Sequence, residues 1–482
     1  MNQSSLKRKA ITKLQAAVIA VIIIIAIIAG VAYYYSTIGP TPTPATPTPK
    51  TPTPATPTPA TPTPATPTPA TPTPATPTPA TPTPATPTPA TPTPPPKDKI
   101  VVGIVQSMSG PNSAGCALHH VYYDWIIEDY NEKGGLYVPE YGKRIRLDKV
   151  VYDDESNLDR MLSLTERLIT VDKVDLIFGP WSTAFCFAAF SLYEKYHYPV
   201  VALTFGSDIA AEKMRTGEFK YAFSVLGLPG ETGKEMADFL KYVNEHKSSI
   251  NRVGIIYHSD QHGVEYAGAI YTYLTMAGFQ VPVHQSYPPE TSDFTPLIST
   301  LRNANVDVVI LCGYAEGAFL VHQCKAQNYN PKLIFIGPTM EVPGLVFGPF
   351  GFTPKDLIGV CYYDGWPATA YKEGTLKEWA EMHKKRLGAY PFPASATFYA
   401  GLDCLFKAVE KVGLNREKIR DALATQTFDT LVGKTKLRPG YSMQAELAGT
   451  LTQWQGGEMM EVVWPREAAS ADIICPKPAW PS

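Results

Sequence analysis

Residues 174–183 read Val-Asp-Leu-Ile-Phe-Gly-Pro-Trp-Ser-Thr, a short apolar run that stops at a Gly-Pro pair and is followed by two hydroxyl side chains. Apolar runs of this length are typical of parallel strands that are covered on both faces. The Gly-Pro pair ends the strand, and Ser182 and Thr183 are residue types that commonly begin a helix. The stretch therefore predicts a strand, a turn and a helix, which is the repeating unit of an α/β fold.

The same unit recurs on both sides of this stretch. The first series has predicted strands at 100–105, 145–152, 174–178 and 200–203, with helices at 118–130 and 158–169 among them. The second series has helices at 231–243, 263–276, 294–301 and 315–327, and strands at 253–257, 279–283, 306–311 and 332–336. Such alternation predicts two doubly wound α/β lobes of similar size. Ligands of such sheets bind beyond the carboxyl ends of the strands, so one cleft is expected between the lobes.

The N-terminus predicts a membrane anchor. A basic tail, 1–15, precedes 16–35, an uncharged stretch long enough to span a bilayer as a transmembrane helix. The basic side is expected in the cytoplasm, which places the body outside the cell membrane. A cleaved signal peptide is the alternative, because residues 29–32 are small enough for a cleavage site.

Residues 40–96 repeat Thr-Pro-Thr-Pro-Ala, with Lys50 as a variant. Closely spaced prolines exclude helix and sheet, so an extended polyproline stalk of up to roughly 170 Å is expected. The threonines suit O-glycosylation.

Charge and motifs exclude several functions. Five of the 42 basic side chains and none of the 44 acidic ones lie in residues 1–96, so the rest of the chain is acidic by seven charges. Such a body lacks the basic surface that nucleic acids require. No HExxH, CxxC, GxSxG or GxGxxG motif occurs. The sequence therefore predicts neither an enzyme nor a cofactor.

Several short motifs, in order, resemble the leucine/isoleucine/valine-binding type of periplasmic binding protein, the type I class that feeds ABC importers. They are Val102-Gly103-Ile104 with Ser109-Gly110-Pro111, Asn131-Glu132-Lys133-Gly134-Gly135, Tyr152-Asp153-Asp154, residues 174–180 and Tyr198-Pro199-Val200-Val201. The resemblance covers 99–465. It implies that lobe 1 is 99–223 with 364–430, and that lobe 2 is 224–363 with 431–470.

The resemblance and the predicted turns point to the same ligand loops in lobe 1. Trp181, Ser182 and Thr183 follow one strand. The hydroxyls of Ser182 and Thr183 and the free backbone N–H groups of this loop suit a carboxylate. Thr204, Phe205 and Ser207 follow the next strand, and Ser113 lies in the first loop. A helix N-cap is the alternative role for Ser182 and Thr183, and ordinary turn chemistry for Thr204 and Ser207.

Lobe 2 is expected to supply His262, Tyr314, Glu316, Thr339 and Glu341. In the resembled family a glutamate soon after Gly-Pro meets the ligand's ammonium, whereas this chain has Thr339 there and Glu341 two places later. Either Glu316 or Glu341 is left for that role. His262 stands where the family has a tyrosine, and the family's cleft disulfide is missing because its positions are Ser156 and Ser182. These departures put a branched-chain ligand in doubt and leave amides, urea and aromatic acids open.

Three minor features have simple interpretations. His258 and His262 have a metal-ligand spacing but straddle a loop, so ordinary loop histidines are favoured over a metal site. Residues 153–155, Asp-Asp-Glu, are interpreted as a solvated loop end or a helix-start charge rather than a metal site. The seven cysteines allow no pairing to be deduced, although Cys116 and Cys186 each follow a cleft loop.

The sequence thus predicts a membrane-tethered, extracytoplasmic solute-binding protein. It is expected to be monomeric, to capture an amino acid or similar small polar solute and to deliver it to ABC transporter permease subunits. A receptor ectodomain is the alternative, but only about 15 residues precede the spanning segment to serve as its intracellular part.

Overall fold

Two sheets, each covered by helices, carry the architecture in this computed structural model. The structure describes residues 96–338, 341–342, 347, 350–363, 370–443 and 451–481. The predicted basic tail, the predicted membrane helix and the Thr-Pro repeat as far as residue 95 lie outside the described residues. Within the described part, no helix is both long and apolar enough to cross a bilayer.

The first sheet has the strand order β2-β3-β1-β4. Its strands are β1 (Lys99–Gln106), β2 (Leu136–Val138), β3 (Lys143–Asp153) and β4 (Leu176–Phe178). Strand β1 runs parallel to both β3 and β4, and β2 is antiparallel to β3. A parallel pair, β5 (Val200–Ala202) and β6 (Ala222–Ser224), follows in the chain.

Four helices belong to this first series of elements. They are α1 (Ser113–Glu132), α2 (Leu158–Thr170), α3 (Thr183–Tyr196) and α4 (Asp208–Arg215). Helix α2 has the amphipathic pattern read from the sequence, since its Met161, Leu168 and Ile169 are buried. The side chain of Asn157 accepts a hydrogen bond from the Arg160 amide and so begins this helix.

The second sheet has seven strands in the order β15-β14-β11-β10-β9-β7-β8. Its strands are β7 (Arg252–His258), β8 (Gln280–Tyr287), β9 (Val308–Cys312), β10 (Leu333–Gly337), β11 (Val360–Tyr363), β14 (Leu451–Gln453) and β15 (Glu461–Trp464). Helices α5 (Pro229–His246), α6 (Gln261–Met276), α7 (Thr295–Asn303) and α8 (Gly317–Ala326) alternate with its parallel strands. In this sheet β14 is antiparallel to both of its neighbours, β11 and β15, and the other described pairs are parallel.

Three late helices return to the first sheet. They are α9 (Gly374–Leu387), α10 (Ser395–Val412) and α11 (Arg416–Thr425), followed by the hairpin β12 (Thr427–Thr430) and β13 (Gly433–Lys436). The Trp379 ring stacks on Trp125 of α1 with centroids 5.1 Å apart, and the Tyr130 hydroxyl donates to Asp403 at 2.8 Å. The chain therefore crosses back to its first sheet after building most of the second.

The predicted strands and helices of both series are confirmed, with one notable shift. Helix α1 begins at Ser113 rather than near residue 118. The start was missed because the first turn of the helix contains a glycine, Gly115. Packing requires a glycine at this position. A Cβ at Gly115 would lie 2.4 Å from the Trp181 ring, so only glycine lets α1 approach the tryptophan. The lobe boundaries stay a prediction.

Candidate ligand-binding site

A pocket lies where strand ends of both sheets meet. Its walls come from residues that follow β4 and β5 on one side and β7, β9, β10 and β11 on the other. The space, counted out to its open side, amounts to about 390 Å³. The lining residues are Trp181, Ser182, Thr183, Thr204, Leu226, His262, Tyr266, Tyr314, Pro338, Tyr362 and Tyr363.

The first wall is built around the N-terminus of α3. Ser182 has φ 76° and ψ 154°, a backbone conformation that non-glycine residues rarely adopt. In that conformation its hydroxyl accepts from the Phe185 amide at 3.4 Å and caps the helix. Its own amide donates to Thr204 Oγ1 at 3.1 Å, which ties the two ligand loops together.

Thr183 reinforces this wall. Its hydroxyl donates to the Gly206 carbonyl at 3.5 Å, and the Gly206 amide donates back to that hydroxyl at 3.3 Å. The first amides of α3 have no intrahelical acceptor, and the partial positive charge of the helix dipole lies at this end. The wall therefore offers N–H and O–H donors to a carboxylate.

The second wall is held by Asp260, which caps α6 by accepting from the Gly263 amide at 2.9 Å. The Tyr314 hydroxyl donates to the same carboxylate at 2.6 Å, and His258 Nδ1 lies 3.2 Å from it. Burial opposes ionisation of Asp260, but these donors and the nearby His262 together lower its pKa to about 2. Asp260 is thus an ionised anchor that fixes the orientation of Tyr314.

His262 is the buried titratable group of this wall, with 5% of its surface exposed. Its ring lies between Tyr266 and Tyr314, with centroid distances of 4.5 and 5.2 Å. Burial, assisted by His258, lowers the pKa of His262 to about 4 although Asp260 acts in the opposite direction. The imidazole is therefore neutral at physiological pH.

A wider opening adjoins the pocket and shares Trp181, Ser182 and Tyr314 with it. On the first side it is bounded by the start of α1, and on the second by the loops after β7, β8 and β9. Its remaining lining residues are Pro111, Asn112, Ala114, Gly115, Ala184, Phe185, His258, Asp260, Pro289, Glu290, Ala315 and Glu316. It is the entrance to the pocket.

Of the predicted residues that the structure describes, six line the pocket together. They are Trp181, Ser182, Thr183, Thr204, His262 and Tyr314.

The others lie elsewhere. Ser113 begins α1 beside the entrance, and Thr339 lies outside the described residues. Phe205 does not line the pocket, because its ring packs in the core on Phe190 at 4.7 Å. Ser207 is buried, caps α4 and donates to Glu265 at 2.8 Å.

The two predicted glutamates also lie outside the inner lining. Glu316 lies at the entrance, where it accepts from the Tyr287 hydroxyl at 2.7 Å and from the Tyr314 amide at 3.0 Å. Glu341 is buried, with 2% exposed, but it is not a lining residue. Their ammonium-binding role stays a prediction.

Five lining residues were not predicted: Leu226, Tyr266, Pro338, Tyr362 and Tyr363. Tyr362 and Tyr363 end β11, and the carboxyl end of a parallel strand is the signal that identifies such residues. Tyr266 lies one helical turn after His262, on the same face of α6. These residues make the pocket more aromatic than the sequence indicated.

The interpretation of residues 153–155 as a solvated loop end is wrong for its central residue. Asp154 is fully buried and accepts from Ser107 Oγ at 2.7 Å and from the Ser156 amide at 2.8 Å. Burial raises its pKa. The acid therefore ties the loop after β1 to the loop after β3.

Neither metal ligation nor disulfide bonding is seen in the described residues. They contain no group of three or more histidine, cysteine or acidic side chains placed to hold a metal ion. All seven cysteines are free thiols in this structure. Cys361 in β11 and Cys404 in α10 are buried, as expected for small apolar side chains.

Comparisons with known proteins cover the same part of the chain. A family model described as periplasmic binding protein matches residues 99–458. The Leu/Ile/Val-binding protein homolog 7 of Brucella suis biovar 1 (strain 1330) is 26% identical over an alignment of 382 residues, and the match covers 73% of this chain and 88% of that protein.

Solved structures have the same fold. A branched-chain amino acid transporter substrate-binding protein of Streptococcus pneumoniae, in complex with isoleucine, matches with a TM-score of 0.62 at 17% identity, covering 78% of this chain and all of the other. An ABC transporter solute-binding protein of R. palustris, in complex with benzoate, matches with a TM-score of 0.62 at 16% identity, covering 79% and 97%.

Proposed function

Because the chain belongs to the periplasmic binding protein family, we propose that it captures a small carboxylate outside the cell and delivers it to the permease of an ABC importer. The family resemblance read from the sequence is confirmed, and the chain is a binding protein rather than an enzyme. The observation that supports the proposal most strongly is the pocket between strand ends of two sheets, with a helix N-terminus on its first wall.

An amino acid is the first candidate ligand. Ser182, Thr183 and Thr204 offer the hydroxyl and amide groups that a carboxylate needs. One fold neighbour holds isoleucine, and the curated relative is named for leucine, isoleucine and valine. An ammonium group would still require an acidic partner, for which Glu316 and Glu341 remain the candidates.

An aromatic acid is the second candidate, favoured by the aromatic lining. Trp181, Tyr314, Tyr362 and Tyr363 offer flat apolar faces against which a ring can stack. No acidic side chain is among the described residues that line the inner pocket. Such walls suit a ligand whose only charge is its carboxylate, and another fold neighbour holds benzoate.

The proposal includes a membrane tether. The apolar run at 16–35 follows basic residues, and the repeat that ends at residue 96 separates it from the body. A tether of this kind keeps the binding protein close to its permease. Fractionation of cells tests this part: the natural protein is expected in the membrane fraction, and a mature N-terminus that begins after Ala32 would contradict it.

A thermal-shift screen of the body, residues 97–482, tests the binding function. The library contains the amino acids, small amides, urea and benzoate-type acids. A ligand at 100 times its Kd stabilises the folded state by about 2.7 kcal/mol, which raises the melting temperature measurably. The proposal fails if no carboxylate in the library raises the melting temperature, and a response to the amides or urea alone would contradict a carboxylate ligand. A gene neighbourhood with permease and ATPase genes, rather than a signalling kinase, distinguishes importer from receptor ectodomain.

A further inference from the structure

The pocket contains a buried polar atom that the protein itself leaves unused. His262 Nε2 has no hydrogen-bond partner among the residues that the structure describes. The side chain is 95% buried, since only 5% of its surface is exposed, and it lines the pocket. A buried polar atom without a partner costs roughly 1–3 kcal/mol, so such atoms are rare unless something else binds them.

The ring cannot readily turn away from the pocket. It is held between the rings of Tyr266 and Tyr314, and those two are anchored in turn. The Tyr266 hydroxyl donates to the Gly227 carbonyl at 2.6 Å, and the Tyr314 hydroxyl donates to Asp260 at 2.6 Å. A residue fixed in this way recognises its partner with little loss of side-chain entropy.

His262 is a poor partner for a carboxylate. The neutral imidazole supplies one donor and one acceptor nitrogen, but no positive charge. The ionised Asp260 lies two residues away and disfavours a second anion on this wall. We place the carboxylate of the ligand on the opposite wall, at the start of α3. An ammonium would need a carboxylate of its own, and that of Asp260 is already engaged by the Gly263 amide, the Tyr314 hydroxyl and His258. The group that meets Nε2 is therefore polar and uncharged.

We propose that His262 is a specificity-determining residue whose Nε2 hydrogen-bonds an uncharged polar substituent of the ligand, such as a hydroxyl, a carbonyl or an amide. This inference rests on the proposed function. It narrows the ligand to a small carboxylate with a hydrogen-bonding group at its far end. Ligands with purely apolar tails, such as leucine or unsubstituted benzoate, leave Nε2 unpaired and bind less tightly.

Matched ligand pairs test this on the unmodified body by isothermal titration. The pairs are threonine and valine, asparagine and leucine, and the hydroxybenzoates and benzoate; each pair has similar shape but differs in the polar group. In the pair that fits the pocket, the polar member is expected to bind at least tenfold more tightly. A site built to pair a polar group discriminates strongly against an analogue that lacks it.

Two variants assign the preference to His262. His262→Phe keeps a ring between the two tyrosines but removes the nitrogen, so the preference is expected to fall below about threefold. His262→Gln places an amide near Nε2 and is expected to retain part of it. His246→Phe, on the exposed face of α5, is the matched control and should retain the full preference. The melting temperature of each variant without ligand monitors folding.

The results separate the inference from the function on which it rests. Equal or tighter binding of the apolar member by the unmodified body overturns the inference while leaving a solute-binding function intact. An undiminished preference in His262→Phe also overturns it. If no member of any pair binds, and the wider screen finds no ligand either, the proposed function fails and the inference fails with it.

Discussion

Ser182 shows how a single residue combines a structural and a binding role. Its backbone has φ 76°, a conformation that costs an L-residue about 1–2 kcal/mol relative to glycine. The same conformation directs its hydroxyl to the Phe185 amide and its own amide to Thr204. These two hydrogen bonds hold the strained backbone in place, and with it the wall that we assign to the carboxylate.

Replacing Ser182 by alanine is expected to lower the free energy of unfolding, whereas replacing it by glycine is not. Ser182→Ala removes the cap but keeps the strain, so the free energy of unfolding should fall by about 1 kcal/mol. Ser182→Gly loses the cap at a cost of a few tenths of a kcal/mol and relieves the strain, so the protein should be at least as stable as the parent. Urea unfolding of both variants measures this. A glycine variant less stable than the alanine variant would contradict the assignment.

His262 also predicts how stability depends on pH. Its pKa is about 4 in the folded protein against 6.5 for an ordinary histidine, so the unfolded chain binds a proton between pH 6.5 and 4 that the folded protein does not. Stability therefore falls as the pH is lowered through this window. The buried His119, with a pKa of about 3, acts in the same direction.

Acidification from pH 7 to pH 5 should cost about 2 kcal/mol through His262 alone. His262→Gln, which does not titrate, should lose correspondingly less stability over that interval. His246→Gln, an exposed histidine, is the control and should follow the parent. Urea unfolding at both pH values gives the comparison. Parallel losses in the parent and in His262→Gln would show that this histidine is not held neutral.

Among the predicted residues, those that line the pocket lie in loops that follow strands. Ser182, Thr183 and Thr204 lie at positions where strand ends determine the location of the side chain. Phe205 and Ser207 are only slightly further along the same loop, yet one enters the core and the other caps α4. The direction of a loop side chain depends on packing partners that are distant in sequence, which local patterns do not reveal.

At the scale of elements, the carboxylates of Glu265 and Asp208 connect the two series of helices, because each accepts hydrogen bonds from a helix of the other series. Glu265 of α6 accepts from Ser207 Oγ and from the Asp208 amide, both at 2.8 Å, at the start of α4. Asp208 in turn accepts from the Gly230 amide at 2.8 Å, in the first turn of α5. Each acid lies at the positive end of a helix from the other series, which stabilises the contact between them.

This contact is expected to support ligand binding without touching the ligand. Glu265→Gln keeps an acceptor oxygen but removes the charge that faces α4, at a cost of roughly 1 kcal/mol. If the contact belongs to the ligand-bound arrangement, affinity should fall about fivefold. Glu245→Gln, on the exposed face of α5, is the control. Titration calorimetry of both variants measures the ligand affinity. Unchanged affinity in Glu265→Gln would exclude a contribution of this contact to ligand binding.

The elements themselves were largely predictable because buried parallel strands are continuous apolar runs. Where a boundary was missed, a tertiary contact was responsible. Helix α1 begins five residues earlier than predicted, and the glycine that concealed its start is needed for contact with Trp181. The aromatic lining from β11 was missed for a related reason, since the order of strands in a sheet is set by long-range pairing.

At the scale of the whole molecule, we expect the two sheets to hold one small solute between their strand ends. Thr183 and Tyr314 represent the two walls. If the solute lies between them, removing either hydroxyl should weaken binding, because the Thr183 hydroxyl ties the carboxylate wall to Gly206 and the Tyr314 hydroxyl is held by Asp260. Changes at the exposed Thr272 and Tyr271 of α6 should have no effect.

Isothermal titration of the body with the ligand found by screening tests this claim most directly. We expect one bound molecule per chain, an affinity at least tenfold weaker for Thr183→Val and for Tyr314→Phe, and parent-like affinity for Thr272→Val and Tyr271→Phe. Parent-like affinity in both wall variants, or the absence of any saturable binding, would contradict it.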